Sequence, residues 1–119
     1  MAELPEIAKL AGQMRDTLVG KTIETVLLLQ EKCANIPPDE FLRRTRGARI
    51  TDVWHKGKWI ITALDNGENI FLSFGMGADV WFFSNEETAA DRYQVKVIFS
   101  DRSGYTARFW WFGKFLITN

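Results

Sequence analysis

Any chemistry in this chain of 119 residues has to come from a short set of side chains. Two carboxylates, Glu3 and Glu6, stand near the amino terminus. They suit the first turn of a helix, where the macrodipole favours acids. Positive charge is densest further on: residues 43–58 carry 6 basic side chains and 1 acidic one, against 4 and 7 in residues 1–42 and 5 and 7 in residues 59–119. Arg43, Arg44, Arg46, Arg49, Lys56 and Lys58 make up that segment, as a solvated surface or as contacts to phosphate. His55, the single histidine, lies beside the two lysines, where a phosphate contact fits better than a metal site. Met76 sits between two glycines, where a methionine has little core to fill. Basic and acidic residues number 15 each, so total charge selects no partner and only its distribution is informative. The one cysteine, Cys33, excludes an internal disulfide and a cysteine-based zinc site within this chain.

The elements that must position these groups follow from spacing. Pro5 suits a first helical turn, and Ile7, Leu10, Ala11, Met14 and Leu18 share one helical face, with a stop at Gly20. Thr22 to Leu29 reads as a strand. A second helix is predicted from Pro37-Pro38-Asp39-Glu40 through Phe41 and Leu42 to a stop at Gly47. Seven β runs follow: Ala48 to Trp54, Trp59 to Leu64, Asn69 to Phe74, Asp79 to Phe83, Tyr93 to Phe99, Tyr105 to Trp111 and Lys114 to Ile117. Asn66-Gly67 and Asp101-Arg102-Ser103-Gly104 mark turns. Alternation of Tyr93, Val95, Val97 and Phe99 with Gln94, Lys96 and Ser100 predicts a half-buried strand, which Ile98 interrupts. The polar stretch Ser84 to Asp91 is expected to be a mobile loop.

Eight short strands and two helices predict a mainly β fold, a two-sheet antiparallel β-sandwich or flattened barrel flanked by two α-helices. With 46% hydrophobic and 25% charged residues and a mean hydropathy of −0.14, this is the composition of an ordinary globular domain. It excludes collagen-like, disordered and disulfide-scaffold chains. No apolar run approaches the roughly 18–20 residues that cross a bilayer. The acidic start lacks the plan of a secretory signal, so a soluble cytoplasmic protein is expected. The chain is read as one domain, 1–119, and its end just after a strand predicts that it is the first domain of something longer.

Five local sequences carry a resemblance. Ala2-Glu3-Leu4-Pro5-Glu6 resembles the Pro-Glu-Leu-Pro-Glu start of the formamidopyrimidine-DNA glycosylase and endonuclease VIII family. Leu18-Val19-Gly20-Lys21-Thr22-Ile23 is similar to that family's helix-to-strand junction. His55-Lys56-Gly57-Lys58-Trp59 resembles its Arg-Arg-Gly-Lys-Tyr hairpin, and Ser73-Phe74-Gly75-Met76-Gly77-Ala78 its His-Leu-Gly-Met-Ser-Gly loop. Phe112-Gly113 is similar to the end of its Asp-x-Arg-x-Phe-Gly motif. The five occur in order and span the chain.

The resemblance implies base-excision repair. Such enzymes flip a damaged base from the duplex, displace it at C1′ with an N-terminal amine, and cut the strand through a Schiff base. An α-amino group, with a pKa of about 7.7–8.0, is nearer to a free amine at neutral pH than a lysine at about 10.4. By resemblance, the Ala2 amine would be the nucleophile, Glu3 the acid or proton shuttle, and Glu6 would position the sugar. Lys58 would anchor a phosphate. Lys56, His55 and Arg108 would contact DNA, and Met76, Trp110 and Phe112 would fill the gap left by the flipped base. The implied partner is double-stranded damaged or abasic DNA, bound by a monomer with no membrane and no small-molecule cofactor. The helix–two-turn–helix domain and the zinc finger of the family would lie downstream.

Three departures fall on functional positions. Ala2 stands where the family has proline, Arg108-Phe109-Trp110 replaces Asp-x-Arg, and Ser73 replaces the loop histidine. Trp110 stacks but does not make the bidentate contacts of an arginine. The chain by itself is therefore expected to be inactive or weakly active. A catalytically degenerate DNA-binding protein and a β-sandwich interaction module remain the alternative readings.

Overall fold

The computed structural model describes residues 4–29, 31–73, 78–85, 93–109 and 113–118. The first helix, α1 (Leu4–Leu18), buries the predicted stripe: Ile7, Ala11, Met14 and Leu18 lie in the core, with Leu10 packed at its margin. Gly20, at φ +93°, turns the chain out of the helix, and its amide donates to the Ile50 carbonyl at 2.8 Å. Strand β1 (Ile23–Leu28) follows, then a short 3₁₀ turn at Glu31–Cys33 and helix α2 (Pro38–Thr45). Phe41 and Thr45 are the buried side of α2, and the Thr45 hydroxyl is satisfied by the Phe41 carbonyl at 2.9 Å.

The remaining strands are β2 (Ile50–Lys56), β3 (Trp59–Leu64), β4 (Asn69–Ser73), β5 (Ala78–Phe83), β6 (Val95–Phe99), β7 (Gly104–Phe109) and β8 (Lys114–Thr118). They form two antiparallel sheets of four strands, β1-β6-β7-β5 and β2-β3-β4-β8, the expected sandwich with two helices. Val95, Val97, Phe99, Tyr105 and Ala107 from one sheet share a core with Ile60, Leu64, Ile70, Leu72, Phe115 and Ile117 from the other. Phe41 stacks on Phe115 with ring centroids 5.1 Å apart, which fixes α2 to β8. The exposed edge of β8 is closed by Asn35, whose side-chain amide donates to the Ile117 carbonyl at 2.8 Å and accepts from its N–H at 3.1 Å. A side chain thus supplies the pairing that a further strand would make.

Several boundaries differ from the sequence reading. β2 runs to Lys56 rather than stopping at Trp54, because its ladder to β3 continues to the pair Lys56–Trp59. Strand β6 begins at Val95, and all five of its residues are buried, Lys96 and Ile98 included. It is an interior strand whose outer face is also covered, with the Lys96 ammonium 5.6 Å from the centre of the Tyr93 ring. β7 begins at Gly104 and is described to Phe109, so Trp110 and Trp111 lie outside the described residues, as does most of the predicted loop Ser84 to Asp91. Helix α2 ends at Thr45, two residues before the predicted stop.

The turn between β6 and β7 is tied to the end of α1. The Lys21 ammonium pairs with Asp101, which also accepts from the Ser103 hydroxyl and, at 2.9 Å, from the Ser103 N–H. The Lys21 bond first, and then the Ser103 bonds, hold the Asp101 carboxyl down to about 2 from its ordinary 3.8. The folded value lies below the unfolded one, so this contribution to stability is complete above about pH 4 and fades as pH falls through about 2. Asp101→Asn is expected to flatten the acid limb of a stability–pH curve between those values. An unchanged acid limb would show that the tie contributes nothing.

Candidate functional site

Register decides which strand ends meet. Lys56 pairs with Trp59 across a two-residue loop, Gly57–Lys58, whose first residue is a glycine at φ +58°. That is the arrangement of a type II′ hairpin, which holds Lys58 at an exposed tip. Trp59 pairs with Ser73 and Ser73 with Lys114, so one row crosses the whole second sheet at this hairpin end. In the first sheet, Ala78 pairs with Phe109. The chain leaves the second sheet at Ser73 for Ala78 and returns from Phe109 to Lys114, so both crossings join the same two pairs of strand ends.

Helix α1 starts at that end. Gly20, two residues past its end, is bonded to Ile50, the first residue of β2, and Arg15 Nε lies 3.1 Å from Asp52 Oδ1. The helix therefore runs opposite to β2. Fifteen helical residues and seven strand residues both span about 22 Å, which brings the start of α1 level with Lys56.

Glu6 is exposed in the first turn of α1. His55 pairs with the core residue Ile60 and so lies on the core-facing side of the sheet, exposed at its end, whereas Lys56 shares the outer side with Trp59. Arg108 is half-buried one residue before the end of β7. Ala2, Glu3, Met76, Trp110 and Phe112 lie outside the described residues. The strand ends that flank Met76, Trp110 and Phe112, and Leu4, which follows Glu3, belong to the hairpin end.

The basic segment does not stay together. Arg43 and Arg44 stand in the last turn of α2 and Arg46 caps it, and Arg49 faces the β3–β4 turn through paired backbone and side-chain bonds with Asp65. That turn closes the opposite end of the second sheet, about 20 Å of strand away from Lys58. Arg44 is already engaged, its Nε and Nη2 donating to the Glu68 carboxylate at 2.7 and 2.6 Å. The bond to Arg44 holds the Glu68 carboxyl below its ordinary range. Arg43 lies 3.5 Å from Glu40. Sequence reasoning also passed over Lys114, although its position directly after Phe112-Gly113 was a usable signal.

Two cavities lie away from the hairpin end. One of about 310 Å³ is walled by Leu18, Phe82, Phe83 and Phe99, and a polar one of about 570 Å³ by Glu40, Arg43, Arg44 and Glu68. Burial pushes the Cys33 thiol up to about 11, which closes it as a nucleophile. Among the described residues no three His, Cys, Asp or Glu side chains gather as a metal would need. Nor, among them, is any helix long and apolar enough to cross a membrane.

Residues 1–114 match the sequence profile of the formamidopyrimidine-DNA glycosylase N-terminal domain. The chain belongs to this family. Formamidopyrimidine-DNA glycosylases of Exiguobacterium and Mycoplasma genitalium are 34% and 32% identical to it over 87% and 83% of the chain. The chain spans only 38% and 35% of those two relatives. The Lactococcus lactis glycosylase, solved non-covalently bound to DNA containing an AP site, superimposes with a TM-score of 0.88 at 13% identity, covering 98% of this chain and 45% of that one. The same enzyme with FAPY-dG DNA gives 0.87 at 14% identity, over 97% and 43%. These likenesses confirm the fold of a formamidopyrimidine-DNA glycosylase N-terminal domain.

Proposed function

We propose that this chain is the N-terminal catalytic domain of a DNA glycosylase/AP lyase, a cytoplasmic monomer that excises an oxidised base from double-stranded DNA and nicks the strand. The observation that carries this reading is the meeting, at one end of the sandwich, of the start of α1, the Lys58 hairpin and the four strand ends flanking Met76, Trp110 and Phe112. A duplex laid on that end would meet a nucleophile, a phosphate anchor and wedge side chains together.

In this reading the Ala2 nitrogen bonds to C1′ as the bond from C1′ to the base breaks, and Glu3 returns a proton to the departing base. Glu6 orients the sugar and Lys58 holds a phosphate beside the lesion, where a fixed cation offsets the charge that gathers on the strand. Lys56, His55 and Arg108 contact flanking phosphates. The nitrogen at Ala2 is a primary amine once Met1 is removed, and it yields an imine rather than the iminium that a secondary amine forms directly. The part of the relatives that this chain does not span would complete the cleft, so the isolated chain is expected to turn over weakly.

Borohydride reduces such an imine to a stable amine and so joins protein to DNA. On a duplex with one abasic site, a covalent adduct that disappears when the amino terminus is acetylated is the expected result. Salt-sensitive DNA binding without any adduct, from this chain and from its full-length form alike, would overturn the catalytic reading and leave a degenerate DNA-binding protein.

A further inference from the structure

We infer that the outer face of the sheet β2-β3-β4-β8 carries a second DNA-backbone strip, the row Lys56–Trp59–Ser73–Lys114, which leads away from the proposed active end. The inference rests on the DNA-binding reading above and adds Lys114, with a path for the strand beyond the lesion.

The row is fixed by three registered pairs, so its four side chains share one face. Lys56 and Lys114 are exposed at its two ends. Three strand spacings separate them, about 14 Å, which is the axial rise of about four nucleotides of one DNA strand. Between them stand a half-buried Trp59 and Ser73, with no carboxylate in the row. Asp52 in β2 is engaged by Arg15.

Behind the row lies another, Trp54–Ile61–Phe71–Leu116, also in register across all four strands. Ile61 is buried, and Phe71 meets Trp59 edge-on with centroids 6.0 Å apart, so this second row, on the same face, braces the first from the side. Only Trp54 in it is openly exposed, at 39%. One exposed tryptophan, on the same strand as Lys56, is far short of the roughly 800 Å² that a protein partner covers on each side. It does suit a polyanion, whose sugars and phosphates need point charges and little apolar area. Continuity with the Lys58 hairpin decides the occupant: the flanking backbone of the same DNA.

The test is a salt titration of binding to a labelled duplex, with and without one abasic site, for the chain and for Lys56→Gln, Lys114→Gln and the double variant. Each lysine removed should lower the slope of log affinity against log salt by about 0.9, and the pair by about 1.8, equally on both duplexes. Arg102→Asn, in the β6–β7 turn at the other end of the fold, removes a charge at a φ of +77° that asparagine tolerates, and should leave the slope alone. A double variant that keeps the full slope would overturn the strip while the DNA-binding reading stood. A loss confined to Lys56→Gln would overturn it too, leaving a simple hairpin contact. No salt-dependent binding by the unmodified chain would defeat the DNA-binding reading itself.

Discussion

Phe115→Ala is expected to lower stability by about 3–5 kcal/mol. Phe115 and Phe41 are both 0% exposed, and their stacked rings are the joint between α2 and β8. The truncation removes a buried ring's transfer energy and leaves a cavity that the two sheets close only in part. The aromatic pair adds about 0.5–1.5 kcal/mol beyond burial. Domains of this kind have about 5–15 kcal/mol in all, so the variant should melt on the order of 10–20 °C lower. Urea unfolding checks it: the midpoint should fall with the slope unchanged. Phe41→Ala should cost a similar amount, and the double variant less than the sum, because both remove the same contact. A loss under about 1 kcal/mol would mean that α2 is not held to β8 in this way. The effect reaches the proposed active end, because β8 begins at Lys114, just after the wedge positions.

Gly104→Ala is expected to cost about 3 kcal/mol or more, for the opposite reason. A Cβ at this position would lie 2.1 Å from the Val97 carbonyl oxygen and 2.6 Å from Phe83 Cζ. Gly104 sits between β5 and β6, paired with Phe83 on one side and Ile98 on the other. One added methyl must therefore spread the ladder or expel a ring that is only 5% exposed. Phe83→Ala frees the ring side but not the carbonyl side, so measured against Phe83→Ala alone, itself destabilised by the lost ring, the cost of Gly104→Ala should recover only in part, by chemical denaturation. Full recovery would show that the ring, and not the backbone, sets the limit.

The elements with one buried face were legible. Helix α1 declares itself through five apolar residues at helical spacing, and the strands of the second sheet through β-branched runs broken by turns. Strand β6 was misjudged because alternation reports a strand with one wet face. This one is interior, and Lys96 lies against an aromatic ring rather than in water. The 3₁₀ turn at Glu31–Cys33 is too short to have a period.

The proposed site was legible as motifs in order, but not as a charge map. Charge summed along residues 43–58 suggests one basic patch, whereas β2 carries the chain from Arg49 at one end of the fold to Lys56 at the other. Arg44 is moreover matched by Glu68, a partner 24 positions away that no local pattern shows. Lys114 joins Lys56 only through the register of three strand pairs.

The sheet order also bears on how the chain is made. β2, β3 and β4 are joined by turns of two and four residues and can close as soon as they emerge, at little cost in loop entropy. β1 cannot: its described partner is β6, with Ile23 opposite Phe99. At about 5–20 residues per second, the roughly 70 intervening residues take about 4–14 s to translate. For that interval only Ile23, which bonds to Gly47 and Ala48, gives β1 a backbone partner, and the rest of the strand is an open edge on a growing chain. Helix α1 packs on β2 and is covered early, whereas β1 is among the last strands of this chain to gain its partner.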